Sequence, residues 1–113
     1  MITELSRLRN ILHAHHSHLA ERVAGIVSLA RSDESAAWER INSDLFWGGV
    51  GSIVDYTMRD NVLVTQSLWE ADVREMREIL VDLGKQLMAR GNENPRIASW
   101  VLAFSNWNAS NVV

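Results

Sequence analysis

Trp69-Glu70-Ala71-Asp72-Val73-Arg74-Glu75-Met76-Arg77-Glu78-Ile79-Leu80-Val81-Asp82-Leu83-Gly84-Lys85-Gln86-Leu87 is the stretch whose reading decides the fold. Trp69, Val73, Met76, Leu80, Leu83 and Leu87 are spaced four, three, four, three, four. That is the a/d stripe of an amphipathic helix, kept over nearly three heptads. Glu70–Arg74 and Arg74–Glu78 are i,i+4 pairs of opposite charge off the stripe. Glu70 and Asp72 near the start, and Lys85 and Arg90 near the end, suit the helix dipole. Gly91 marks the stop. The stripe predicts intramolecular core rather than a homodimer seam, because a small bundle needs one long helix to pack on.

Downstream, Asn94-Pro95 has the form of an N-cap followed by proline at the first helical position. A last helix is expected from Pro95 to about Asn106, burying Ile97, Val101 and Phe104 with Trp100 beside them. The tail to Val113 is expected to be loose.

Upstream, Trp47-Gly48-Gly49-Val50-Gly51-Ser52 holds three of the six glycines. Leu45, Phe46 and Trp47 precede it and Ile53 and Val54 follow. A glycine cluster in apolar surroundings predicts positive φ or a close backbone approach, not a linker. Ser52-Ile53-Val54-Asp55 resembles a capping box with Asp for Glu. A short helix is expected from Ile53 to about Met58. Arg59-Asp60-Asn61 reads as a turn. Val62-Leu63-Val64-Thr65 is β-branched but has no second strand to pair with. It reads as an apolar loop or a helical approach.

In the first part of the chain, Leu5, Leu8, Ile11 and Leu12, then Leu19, Val23, Ile26, Val27 and Ala30, keep helical spacing. Thr3 is a candidate cap. Between the two sets, His13-Ala14-His15-His16-Ser17-His18 holds no large aliphatic residue. One long helix over 4–31 and two helices broken here both fit the pattern. The second reading is preferred, with Ser17 as cap. Gly25 costs about 1 kcal/mol against alanine inside a helix, and makes sense where another helix packs closely. Ser32-Asp33 is a boundary, with Asp33 as N-cap and Glu34 in the first turn. The helix Glu34–Asn42 would bury Trp38 and Ile41. The whole is expected to be all-α: a small antiparallel helical bundle with a central glycine-rich turn, one domain over 1–113. No sheet is expected.

Composition narrows function. The chain has 113 residues, of which 47% are hydrophobic and 22% charged, a globular balance. The formal charge is −3, which leaves no basic footprint for nucleic acid. There is no cysteine, so disulfides and thiol chemistry are excluded. The start, Met1 to Arg7, lacks a basic patch followed by an apolar run. No run approaches the roughly 18 apolar residues of a membrane helix. A cytoplasmic protein is expected. Asn108-Ala109-Ser110 fits the glycosylation pattern by chance.

Four constellations bear on chemistry. On one continuous helix His13 and His16 would share a side and His15 and His18 another, so they would not converge on a metal. His15 also continues the apolar stripe between Leu12 and Leu19. No HExxH is present, and no cofactor or metal is expected. Gly48, Gly49, Gly51 and Ser52 offer backbone donors ahead of a helix N-terminus, the makings of an anion site. The P-loop Lys-Ser/Thr is missing, and GxGxxG is not matched. Asp44 and Asp55 flank the glycines, but Asp55 has a simpler role as a cap. Ser52 lacks GxSxG.

The run Trp47-Gly48-Gly49-Val50-Gly51-Ser52-Ile53-Val54-Asp55 resembles a motif in a family of small, uncharacterised, helical bacterial proteins. Its pattern is Gly-Gly-hydrophobic-Gly-Ser-hydrophobic-x-Asp, set between a helical N-terminal half and a C-terminal helix. The likeness spans most of residues 4 to 90 and carries no catalytic residues over. It implies a single-domain cytoplasmic companion protein; similar small acidic proteins often neutralise toxins. The expectation is a non-enzymatic protein-binding domain of the immunity type, monomeric or homodimeric, with a toxin as partner. The alternative is a small-ligand or anion-binding domain using Gly48, Gly49, Gly51 and Ser52.

Overall fold

The computed structural model describes residues 1–59 and 64–111. Among them every regular element is a helix and none is a strand. In chain order these are α1 (Ile2–Ala14), α2 (Leu19–Ser32), α3 (Glu34–Ile41), α4 (Asp44–Trp47), α5 (Ile53–Thr57), α6 (Gln66–Arg90) and α7 (Ile97–Ala109). None of the described helices is long and apolar enough to cross a membrane.

α6 is the spine. Trp69, Val73, Met76, Leu80, Leu83 and Leu87 are all buried, as the heptad spacing predicts. Ile79 and Gly84 widen the stripe, because both α1 and α7 pack on α6. The stripe is therefore used up within the chain. Each such aliphatic side chain contributes roughly 1.5–3 kcal/mol by leaving water. Arg74 does not close its i,i+4 ion pairs. It donates instead to Asn108 O at 3.1 Å, and Asn108 Nδ2 returns a bond to Arg74 O at 2.9 Å. Gly84 lies where α7 comes closest. A Cβ there would stand 2.6 Å from Val101 Cγ2 and 3.3 Å from Trp47 Cη2.

The histidine segment is a break, as the missing aliphatics suggest. His16 has φ 57°. Ser17 N–H donates to Leu12 O at 2.9 Å and His16 N–H to His13 O at 3.0 Å. That is a Schellman ending with histidine where glycine is usual. Ser17 Oγ then accepts from Leu19 N–H at 3.2 Å, opening α2. Thr3 caps nothing, since α1 is already under way at Ile2. Asp33 caps α3 by accepting from Ala36 N–H at 3.1 Å, and Trp38 and Ile41 are buried as expected.

α7 departs from expectation. Asn94 Oδ1 accepts from Arg96 N–H at 3.1 Å, which makes only a single turn, and the helix starts at Ile97. The same residue is also clamped through its donors. Asn94 N–H donates to Asn42 Oδ1 at 2.7 Å and its Nδ2 to Asp44 Oδ1 at 2.9 Å, tying it to the α3–α4 corner. α7 runs on to Ala109, and Val101 is only half-buried. Gly25 also differs: among the described residues nothing beyond its own turn of helix lies within 4 Å of where its Cβ would be, so no described helix packs on it. The expected turn at residues 59–61 and the apolar segment 62–65 fall largely outside the described residues, as does the end of the tail. Of that segment Val64 packs against the core.

Candidate functional site

The ends of several elements meet around His15. It sits just past α1, where the stripe of Leu5, Leu8 and Leu12 points inward, and is 4% exposed. Its Nε2 lies 2.6 Å from Asp72 Oδ2 on α6, and its Nδ1 2.9 Å from Tyr56 Oη on α5. An ionised carboxylate only accepts. Nε2–H therefore donates to Asp72, and Nδ1 shares a hydrogen bond with the Tyr56 hydroxyl. Trp69 completes the group. Its ring centre is 5.5 Å from that of His15 and 5.8 Å, edge-on, from that of Tyr56.

A cavity of about 320 Å³ opens over this group, between the histidine turn and the start of α5. His15, Tyr56 and Trp69 line it, with His16, His18 and Arg59 among its other walls. Three of the four histidines thus reach one cavity. They do so because residues 15–18 are not helical, which removes the angular spread a continuous helix would impose. Among the described residues no group of three His, Asp or Glu side chains is placed to hold a metal.

Gly51 and Ser52 line the same cavity; Gly48 and Gly49 do not. Gly51 has φ 89°, which a side chain resists. Its N–H donates to Asp55 Oδ2 at 3.0 Å. Ser52 Oγ donates to Gly48 O at 2.8 Å and accepts from Asp55 N–H at 3.2 Å, so Ser52 caps α5. The carboxylate of Asp55 reaches one residue further back than in a regular capping box, to Gly51 rather than Ser52. These donors hold the segment in shape. The Gly51 amide, helped by Arg59 at 2.7 Å, keeps the Asp55 carboxyl below its ordinary value.

Asp44 and Asp55 do not share a site: Asp44 is bound to Asn94, and only Asp55 borders the cavity. Ser52 makes its bond to Gly48 O and none to a histidine. Sequence reading placed His15 inside but missed its partners. Asp72 lies 57 residues away and Tyr56 41. Neither separation leaves a local pattern to read. Chemically, the arrangement anchors an imidazole through both ring nitrogens and holds a phenol and an indole under a small concave surface. Comparison with protein-family models, with curated proteins and with solved structures found no match in any of the three.

Proposed function

We propose that this chain is a non-enzymatic protein-binding domain of the immunity type, one that neutralises a toxin by holding it at the glycine segment. The observation that carries the reading is Val50. It is 91% exposed, an aliphatic side chain between Gly49 and Gly51. The backbone around it is pinned by the Gly51–Asp55 and Ser52–Gly48 bonds. A side chain held out on a fixed turn loses little freedom on binding. Beside it, the cavity over Trp69 supplies a hole for a partner's side chain. In this reading the helices act as an antiparallel bundle that presents a central glycine-rich turn, in the cytoplasm, with no role for nucleic acid or membrane. The resemblance of residues 47–55 to the small bacterial family points the same way.

The test is capture from the native host by the tagged chain, with mass spectrometry of what is retained. The parent should retain one protein that Val50→Asp loses. Val50 is exposed, so the variant should melt as the parent does. Equal retention by both would move the contact elsewhere.

A second reading is favoured by the cavity itself, whose volume and aromatic lining suit a small ligand. An anion seated on the turn amides has less support, since Gly51 N–H and Ser52 Oγ are engaged within the turn. A melting temperature raised by phosphate would restore the anion reading.

A further inference from the structure

We propose that the groove beside Gly25 is a contact between two copies of this chain, in which α2 of one crosses α2 of the other at Gly25. The inference is independent of the reading of the glycine segment.

Gly25 lies in the middle of α2 and is exposed. A glycine there costs about 1 kcal/mol of helix stability. Such a residue is usually retained where something comes close to the backbone. Gly84 shows the rule within this molecule, since its missing side chain is replaced by Val101, Ile97 and Trp47. At Gly25 the corresponding space is open, with no neighbour among the described residues within 4 Å beyond its own turn of helix. With no described segment of this chain there, the room is left for another molecule.

The opening continues into a groove of about 430 Å³ between α2 and the α3–α4 corner. Ile26, Leu29 and Leu45 give it an apolar floor; Leu29 and Leu45 are only half-buried. Glu21, Arg22 and Arg40 stand on its rim. Among the described residues none of these three side chains makes an ion pair or a hydrogen bond. Three charges without partners around an apolar floor describe an interface with its other half removed.

The occupant is a second copy because a two-fold contact must be complementary to itself. Gly25 supplies room at the crossing point on both helices at once. Glu21 and Arg22 lie on opposite flanks of the Gly25 face, so with the two α2 helices running in the same direction a two-fold axis through the crossing sets each carboxylate against the other chain's guanidinium. The repulsion between two chains of charge −3 is screened at physiological salt.

Sedimentation equilibrium of the full chain, from about 10 µM to about 1 mM, reads the association directly. A dimer is expected. Gly25→Trp fills the opening and should weaken dimerisation at least about tenfold, equivalent to about 1.4 kcal/mol, with unchanged helicity. Gly25→Ala should raise the melting temperature of the monomer yet weaken the dimer, two effects of opposite sign. Glu21→Arg and Arg22→Glu should each weaken it, and the double reversal should restore it. A chain monomeric throughout the range overturns the proposal, whatever other protein it binds. So does a dimer indifferent to Gly25→Trp and Gly25→Ala, or a double reversal no tighter than the single ones.

Discussion

His15 and Asp72 meet at 2.6 Å across 57 residues of chain, and their contact joins the end of α1 to the first turns of α6. The imidazole is almost wholly buried, while the carboxylate keeps 18% of its side chain in solvent. A polar ring placed in an apolar stripe costs stability unless both nitrogens are satisfied. Here Asp72 satisfies one and Tyr56 the other. The network thus lets a histidine occupy a core position and fixes three elements around the cavity.

His15→Ala should therefore cost about 2–4 kcal/mol, combining the lost ring volume with two lost hydrogen bonds. Asp72→Asn should cost less, about 1 kcal/mol, because an exposed edge lets water assist. Urea unfolding measures both. A His15→Ala variant as stable as the parent would mean the network is incidental.

The sequence made the spine legible because its signal is local. Trp69 to Leu87 repeat at helical spacing, and a stripe of that kind has few other places to go. Asp33 and Gly91 were legible for the same reason: a cap and a stop act within one turn. Pairings between distant elements leave no such trace. Asp72 looks like a helix-dipole acid until α1 is folded against it. Gly84 looks like a flaw in the stripe until α7 crosses it. Asn94 has the composition of a cap and its Oδ1 does accept from Arg96 N–H, but its donors tie it to Asn42 and Asp44, links across 52 and 50 residues that the motif does not show, and α7 begins only at Ile97.

Gly84→Ala tests that crossing. Alanine favours a helix by about 1 kcal/mol. Against this, the new Cβ would lie 2.6 Å from Val101 Cγ2 and 3.2 Å from Ile97 Cγ2. Both are β-branched and stiff at χ1, so neither can swing away cheaply. The clash should win, with a net loss of about 1–3 kcal/mol. A melting temperature at or above the parent's would show that α7 can shift freely on α6.

Gly51 and Gly49 should respond differently to the same substitution. At Gly51 the backbone is left-handed, φ 89°, and alanine should cost about 1–2 kcal/mol. At Gly49 a Cβ would meet nothing within 4 Å and φ is not positive, so alanine should be close to neutral. The Gly51 loss should appear in the melting of the whole chain, because Trp47 and Ile53 on either side are buried. Equal melts for the two variants would count against the role assigned to Gly51.

Asp55 gives the same segment a pH dependence. Its carboxyl is held below the ordinary value, first by the Gly51 amide and then by Arg59. A group lowered in the folded state is more acidic there than in the unfolded chain. Its contribution to stability is complete above the unfolded value of about 3.9 and is lost as pH falls through the lower folded value. Asp55→Asn removes the charge at every pH. The variant should melt below the parent at neutral pH. That deficit should hold down to about pH 5 and narrow below about pH 4, where the parent's own carboxyl takes up its proton. A gap that stays the same at about pH 3 would assign the effect to shape rather than charge. Parent and variant melting together at neutral pH would mean that the ion pair with Arg59 and the amide bond to Gly51 do not hold the turn.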